Sequence, residues 1–127
     1  GLALSYWGIG LTLPFYGAEV FGLQAIGREA IRQRSDALLS LADDVRFGPG
    51  LIMIVIGLIL LAIGSITIAA AVWKSRVAPQ WGGIPLAAGF LLFLPQYMAA
   101  QPVRILHGLL LAIGCCLLSF ILWKSKR

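Results

Sequence analysis

Four long apolar runs, parted by short polar stretches, organise this chain. Residues 2 to about 26 are apolar but interrupted by Glu19 and Gln24, and residues 50–72 carry no charge. Residues 84–100 are apolar with Pro85, Pro95 and Gln96, and residues 103–122 are interrupted by Arg104 and His107. A helix rises 1.5 Å per residue, so about 20 residues cross a hydrocarbon core of about 30 Å. The second and fourth runs reach that length cleanly, whereas the third is short and proline-bearing. Uniformly apolar runs, rather than alternating ten-residue pieces, argue against a closed barrel. The pattern predicts an all-α integral membrane protein with four transmembrane helices.

Alternating spans define two sides. Side A holds the start of the chain, the linker 74–82 and the tail; side B holds the longer linker and the turn at Gln101 and Pro102. Trp7, Trp73, Trp81 and Trp123 all map to the half nearer side A. Tryptophan favours an interface because its ring is apolar while its N–H seeks water. Side A carries Lys74, Arg76, Lys124, Lys126 and Arg127 beside the span ends, which places it, and the C-terminus, in the cytoplasm.

The linker, about 28–47, is the only stretch that looks soluble. Ile31, Leu38 and Val45 recur every seven residues, with Leu41 and Ala42 beside them, as in an amphipathic helix. Ser35 and Asp36 are placed to cap its second part, while Gly48 and Pro49 part it from the next span. It reads first as a helix lying on head groups, and second as a lid or docking helix on side B.

Composition sharpens the picture. Hydrophobic residues make up 60% and charged residues 12%, and the mean hydropathy is +0.93. Soluble domains carry roughly 25% charged residues, so the soluble classes are excluded. The net charge of +5, from ten Lys/Arg against five Asp/Glu, is read as topology and anionic head-group contact, not nucleic-acid binding. The partner it implies is the lipid bilayer. Cys115 and Cys116, adjacent in an apolar run, exclude a disulfide framework and serve as small fillers. With one histidine and two thiols there is no metal set, and no cofactor is assigned. The opening GLALSYW lacks a basic region and is not read as a signal peptide.

An internal repeat is the strongest signal. Leu60-Leu61-Ala62-Ile63-Gly64 recurs as Leu110-Leu111-Ala112-Ile113-Gly114, and Trp73-Lys74-Ser75-Arg76 as Trp123-Lys124-Ser125-Lys126, both 50 residues on. A weaker match, 81 residues on, aligns Gly8, Leu11, Leu13, Pro14 and Tyr16 with Gly89, Leu92, Leu94, Pro95 and Tyr97. The chain therefore divides into residues 1–76 and 81–127, two hairpins of a proline-kinked helix followed by a straight one. Two spans per unit make the repeats parallel, a 2+2 four-helix bundle forming one domain.

Gly50, Gly57, Gly64 and Ala71 form a heptad line of small residues, which lets membrane helices approach closely. By the 50-residue offset Gly57 maps to His107 and Gly64 to Gly114, so His107 is expected on an inward face. Gly108, Ala112 and Cys116 add a second small line beside it.

The candidate ligand-binding residues are Glu19, Tyr16, Gln24, Tyr97, Arg104 and His107, all in the half nearer side B. His107 lies about 24 Å from the level of Trp123 at the helical rise. The repeat places Tyr16 opposite Tyr97. Ionisable groups at membrane depth are costly unless paired or hydrated, and they often mark ligand sites. A structural clasp, with Glu19 pairing Arg104 across the first and fourth helices, is the competing and preferred reading.

Ala18-Glu19-Val20-Phe21-Gly22 is similar to the Ala-Glu-Val-x-Gly around the first-helix glutamate of small multidrug resistance transporters, which also have four helices. The resemblance covers five residues, and the charged linker and the 50-residue repeat depart from that family. No proton-coupling role is therefore carried onto Glu19. No nucleophile elbow, phosphate loop or HExxH appears. Three functions remain in order: a structural or accessory subunit packing with itself or within a larger membrane complex; binding or transport of a small lipophilic or cationic ligand through a side-B cavity; and an enzyme acting on a lipid-like substrate between Glu19 and His107.

Overall fold

The computed structural model describes residues 1–76 and 79–125. Among the described residues every regular element is helical. The chain forms α1 (Leu2–Gly17), a π turn (Ala18–Gly22), α2 (Leu23–Gln33), a 3₁₀ turn (Asp36–Leu39), α3 (Ser40–Phe47) and α4 (Pro49–Ser75). A 3₁₀ turn (Gln80–Gly83), α5 (Ile84–Leu91), another 3₁₀ turn (Pro95–Met98) and α6 (Gln101–Ser125) follow. Lys126 and Arg127, counted with side A above, lie outside the described residues.

Three stretches are long and apolar enough to cross a membrane: Leu2–Gln33, Asp36–Ser75 and Gln101–Ser125. The third expected span is not one of them. Its α-helix is only eight residues long, about 12 Å at the helical rise. Pro95 has no N–H to return to the carbonyl of Leu91, so the ladder fails there. Phe93 N–H falls back to Phe90, and a 3₁₀ turn resumes at Pro95. The segment still runs antiparallel to α6, with Gly82 beside Ile121, Leu86 beside Gly114 and Gly89 beside Leu111. Pro14 behaves differently from its counterpart Pro95: it stays inside α1, and a π turn follows four residues later. The matching kinks that the repeat predicts are thus not alike.

The linker is two helical pieces rather than one. α2 continues the first segment to Gln33 and ends on Arg34 in the left-handed conformation, φ 52°. Ser35 is extended and occupies the N-cap position of the next turn, without a side-chain cap bond. Gly48 and Pro49 separate α3 from α4 as expected.

The segments pack in the order α1, α4, α5, α6. Glycines set the approach. A Cβ at Gly57 would lie 2.8 Å from Thr12 Cγ2 and 2.9 Å from the Gly8 carbonyl oxygen. The buried face of α4 (Ile54, Gly57, Leu58, Leu61, Gly64, Ser65, Val72) follows the helical repeat, while α6 buries His107, Gly114 and Ile121 at heptad spacing.

Contacts recur between the two halves. A Cβ at Gly8 would be 2.8 Å from Leu61 Cγ, and one at Gly89 would be 2.8 Å from Leu111 Cγ. A Cβ at Gly64 would be 2.9 Å from Ser5 N, and one at Gly114 would be 2.6 Å from Leu86 N. Gly8 and Ser5 are carried to Gly89 and Leu86 by the 81-residue offset (Tyr16 to Tyr97), and Leu61 and Gly64 to Leu111 and Gly114 by the 50-residue one (Gly64 to Gly114).

Two expectations about faces and levels change. Gly108 meets nothing within 4 Å, and Gly108, Ala112 and Cys116 are all exposed, so this small-residue line is not a packing face within the chain. Gly50 packs against the Phe15 ring, 3.2 Å from its would-be Cβ. Because Gly8 lies beside Leu61, Trp7 stands near the middle of α4, and three tryptophans rather than four mark side A.

Candidate functional site

The core lies in the half of the molecule nearer side B. Phe15, Ile54, Leu58 and Leu61 form it, with Tyr16, Phe90 and Phe93 packed against it. These side chains come from α1, α4 and the third segment, so the cluster joins the two hairpins.

A chain of aromatic contacts continues from this core. Phe15 and Tyr16 meet edge to face, with ring centroids 6.2 Å apart. The Tyr16 and Tyr97 hydroxyls share a hydrogen bond, the cross-hairpin meeting that the repeat alignment implies. Tyr97 leans on Phe93 at 6.1 Å, and Phe93 meets His107 edge-on at 5.2 Å and 85°. Edge-to-face aromatic pairs are worth about 0.5–1.5 kcal/mol beyond their buried area.

His107 is buried, and its Nε2–H donates to the Gly89 carbonyl oxygen at 2.7 Å. A carbonyl only accepts, so Nε2 carries the proton. The bond ties α6 to α5 at the place where Gly57 meets Gly8 in the other hairpin. Arg104 donates from Nη2 to the Tyr97 carbonyl at 2.6 Å, across the break before α6.

The remaining candidates separate from this group. Phe15 is level with Gly50, at the start of α4, and Glu19 lies one turn further out, about 6 Å along the axis. There it pairs with Arg46 Nε of α3 at 3.6 Å. The expected Glu19–Arg104 clasp is not formed: α1 and α6 do not pack together, and each of the two side chains is engaged elsewhere. Gln24 is exposed, further along the same helical path. Thus Tyr16, Tyr97, Arg104 and His107 come together, while Glu19 and Gln24 stay apart from them.

Sequence reasoning missed Phe93 at the centre of the ladder, Arg46 as the partner of Glu19, and Gly89 as the acceptor for His107. The two offsets carry Gly8 to Gly89 and Gly57 to His107, so the last pair corresponds to the Gly8–Gly57 contact, which only the structure shows. Nothing local distinguishes Phe93 or Arg46 from their neighbours. Among the described residues no group of three His, Cys, Asp or Glu side chains is placed to hold a metal ion.

The chain matches no family model, no curated protein and no solved structure.

Proposed function

We propose that this chain is a multi-pass membrane protein built from two related parallel hairpins, acting as a structural or accessory subunit that packs with itself or with a partner membrane protein. One observation carries the reading: four charged or polar side chains of the site tie one segment of the molecule to another. Tyr16 bonds Tyr97, His107 and Arg104 each bond a backbone carbonyl, and Glu19 forms a long ion pair with Arg46. Groups engaged in this way hold helices together rather than wait for a charged substrate.

The outer surface supports the same reading. Ile52, Ile56, Ile59, Ile63 and Ile66 of α4 and Leu106, Leu109, Ile113 and Phe120 of α6 are all exposed. Contiguous apolar surface of this kind belongs against lipid or another protein. The paired contacts at Gly8/Gly89 and Gly64/Gly114 support a duplicated hairpin. The side-A charges Lys74, Arg76 and Lys124 support a cytoplasmic C-terminus.

Native mass spectrometry of the protein extracted gently from its own membrane tests the assignment. A defined homo-oligomer or a stoichiometric protein partner is the expected result. A monomer at every protein concentration, with no partner, would overturn it. Gly108→Leu locates the contact face, because the folded chain tolerates it and any loss of assembly then points to that side of α6.

A further inference from the structure

We propose that the cleft between the broken third segment and α6 binds the head group of a neutral, hydroxyl-bearing membrane lipid. The cleft holds about 320 Å³ and is walled by Leu92, Pro95, Gln96, Val103, Leu106 and His107, among others. That volume is at the lower end of the ~300–1,000 Å³ typical of small-ligand sites, enough for a head group and the first part of a chain.

The chemistry of the wall selects the ligand. No Asp, Glu, Lys or Arg lines the cleft, so a charged head would lose its hydration without a counter-charge. Two polar side chains reach it, and each has capacity to spare. His107 gives its Nε2–H to Gly89, which leaves Nδ1 of the neutral ring as an acceptor. Nδ1 has no protein partner among the described residues, and no buried side-chain nitrogen or oxygen is unpartnered, so Nδ1 is open to a molecule in the cleft. The half-buried Gln96 carboxamide is likewise unpartnered among the described residues. A hydroxyl answers both, donating to Nδ1 while accepting from the Gln96 amide.

Access follows from the fold. Leu92, Val103 and Leu106, at the mouth, are exposed on the outer flank, so a lipid enters sideways with its chain left outside. The cleft owes its existence to Pro95, which stops α5 from filling the space along α6. The inference goes beyond the subunit reading and does not require it, since the cleft belongs to a single chain.

The test uses the whole protein in phosphatidylcholine vesicles with diazirine-bearing palmityl alcohol as the probe and its methyl ether as the control. The alcohol is expected to label the 92–110 region saturably and to bind about three- to tenfold more tightly than the ether, the weight of one hydrogen bond. Leu106→Trp, at the exposed mouth, should abolish labelling while circular dichroism is unchanged. Gln96→Leu should weaken alcohol and ether alike and leave the preference between them, because both oxygens accept from the amide and only the alcohol donates to Nδ1. The Nδ1 nitrogen resonance of His107 should move with the alcohol and stay put with the ether. Equal labelling by alcohol and ether in the unaltered protein, or an unmoved Nδ1 resonance at saturation, would overturn the proposal.

Discussion

The two hairpins hold their helices together at matching positions by different means. In the first, Gly57 of α4 lies against Gly8 of α1, and bare backbone meets bare backbone. In the second, the position of Gly57 is taken by His107, and an imidazole reaches the Gly89 carbonyl at 2.7 Å. The first hairpin has a 16-residue partner in α1, whereas α5 stops after eight residues. One small-residue register can therefore serve two purposes. Glycine gives tight packing with nothing polar left over. Histidine gives a polar tie and lines the cleft left by the proline break.

The most forceful way to break this comparison is to put bulk where the backbones touch. Gly57→Leu should destabilise the fold by about 3 kcal/mol or more, because its side chain meets Thr12 and the Gly8 carbonyl. Gly108→Leu should leave stability within about 0.5 kcal/mol, since nothing lies near it. Denaturant titration of both variants in mild detergent measures the contrast; similar losses would mean that the packing register is wrong.

Next in size is His107→Phe, which keeps a ring against Phe93 but removes the bond to Gly89. A cost of about 1–2 kcal/mol is expected, with the Gly89 carbonyl left unpaired. A neutral result by the same titration would show that the second hairpin needs no polar tie.

The phenol pair sharpens the link between hairpins. Tyr16→Phe and Tyr97→Phe should each cost about 1 kcal/mol, and the double variant little more than either alone. Strict additivity in that double-mutant cycle would separate the two residues.

Glu19→Gln should have a smaller effect. Its ion pair is long and partly exposed, so a loss below about 1 kcal/mol that shrinks with added salt is expected. The last change is a gain: Arg34→Gly relieves a left-handed non-glycine residue and should add about 0.5 kcal/mol of stability, read as a small rise in melting midpoint.

Much of the fold was legible in the chain because its signals are local or periodic. The helical class follows from uniform apolar runs, and the inward faces of α4 and α6 follow from Gly57, Gly64 and Gly114 at heptad spacing. The 81-residue alignment also set Tyr16 opposite Tyr97, and their hydroxyls do meet. The break in the third segment was foreshadowed by Pro95 but not located, because a proline inside an apolar run is compatible with either a kink or a stop. The Glu19–Arg104 clasp failed for a different reason: opposite charges at one end of a helical bundle have several partners within reach, and sequence does not rank them.

Composition and periodicity thus determined by themselves that the chain is helical and that several of its segments are apolar enough to cross a membrane. These are sums over many residues, and no single contact can reverse them. Only the tertiary structure decided that α1 runs past the start of α4, which takes Glu19 to Arg46, and that Phe93 bridges Tyr97 and His107. Those outcomes depend on axial offsets between helices of a few ångströms. Such offsets are set by which glycine meets which backbone, a property of pairs of segments that neither segment carries alone.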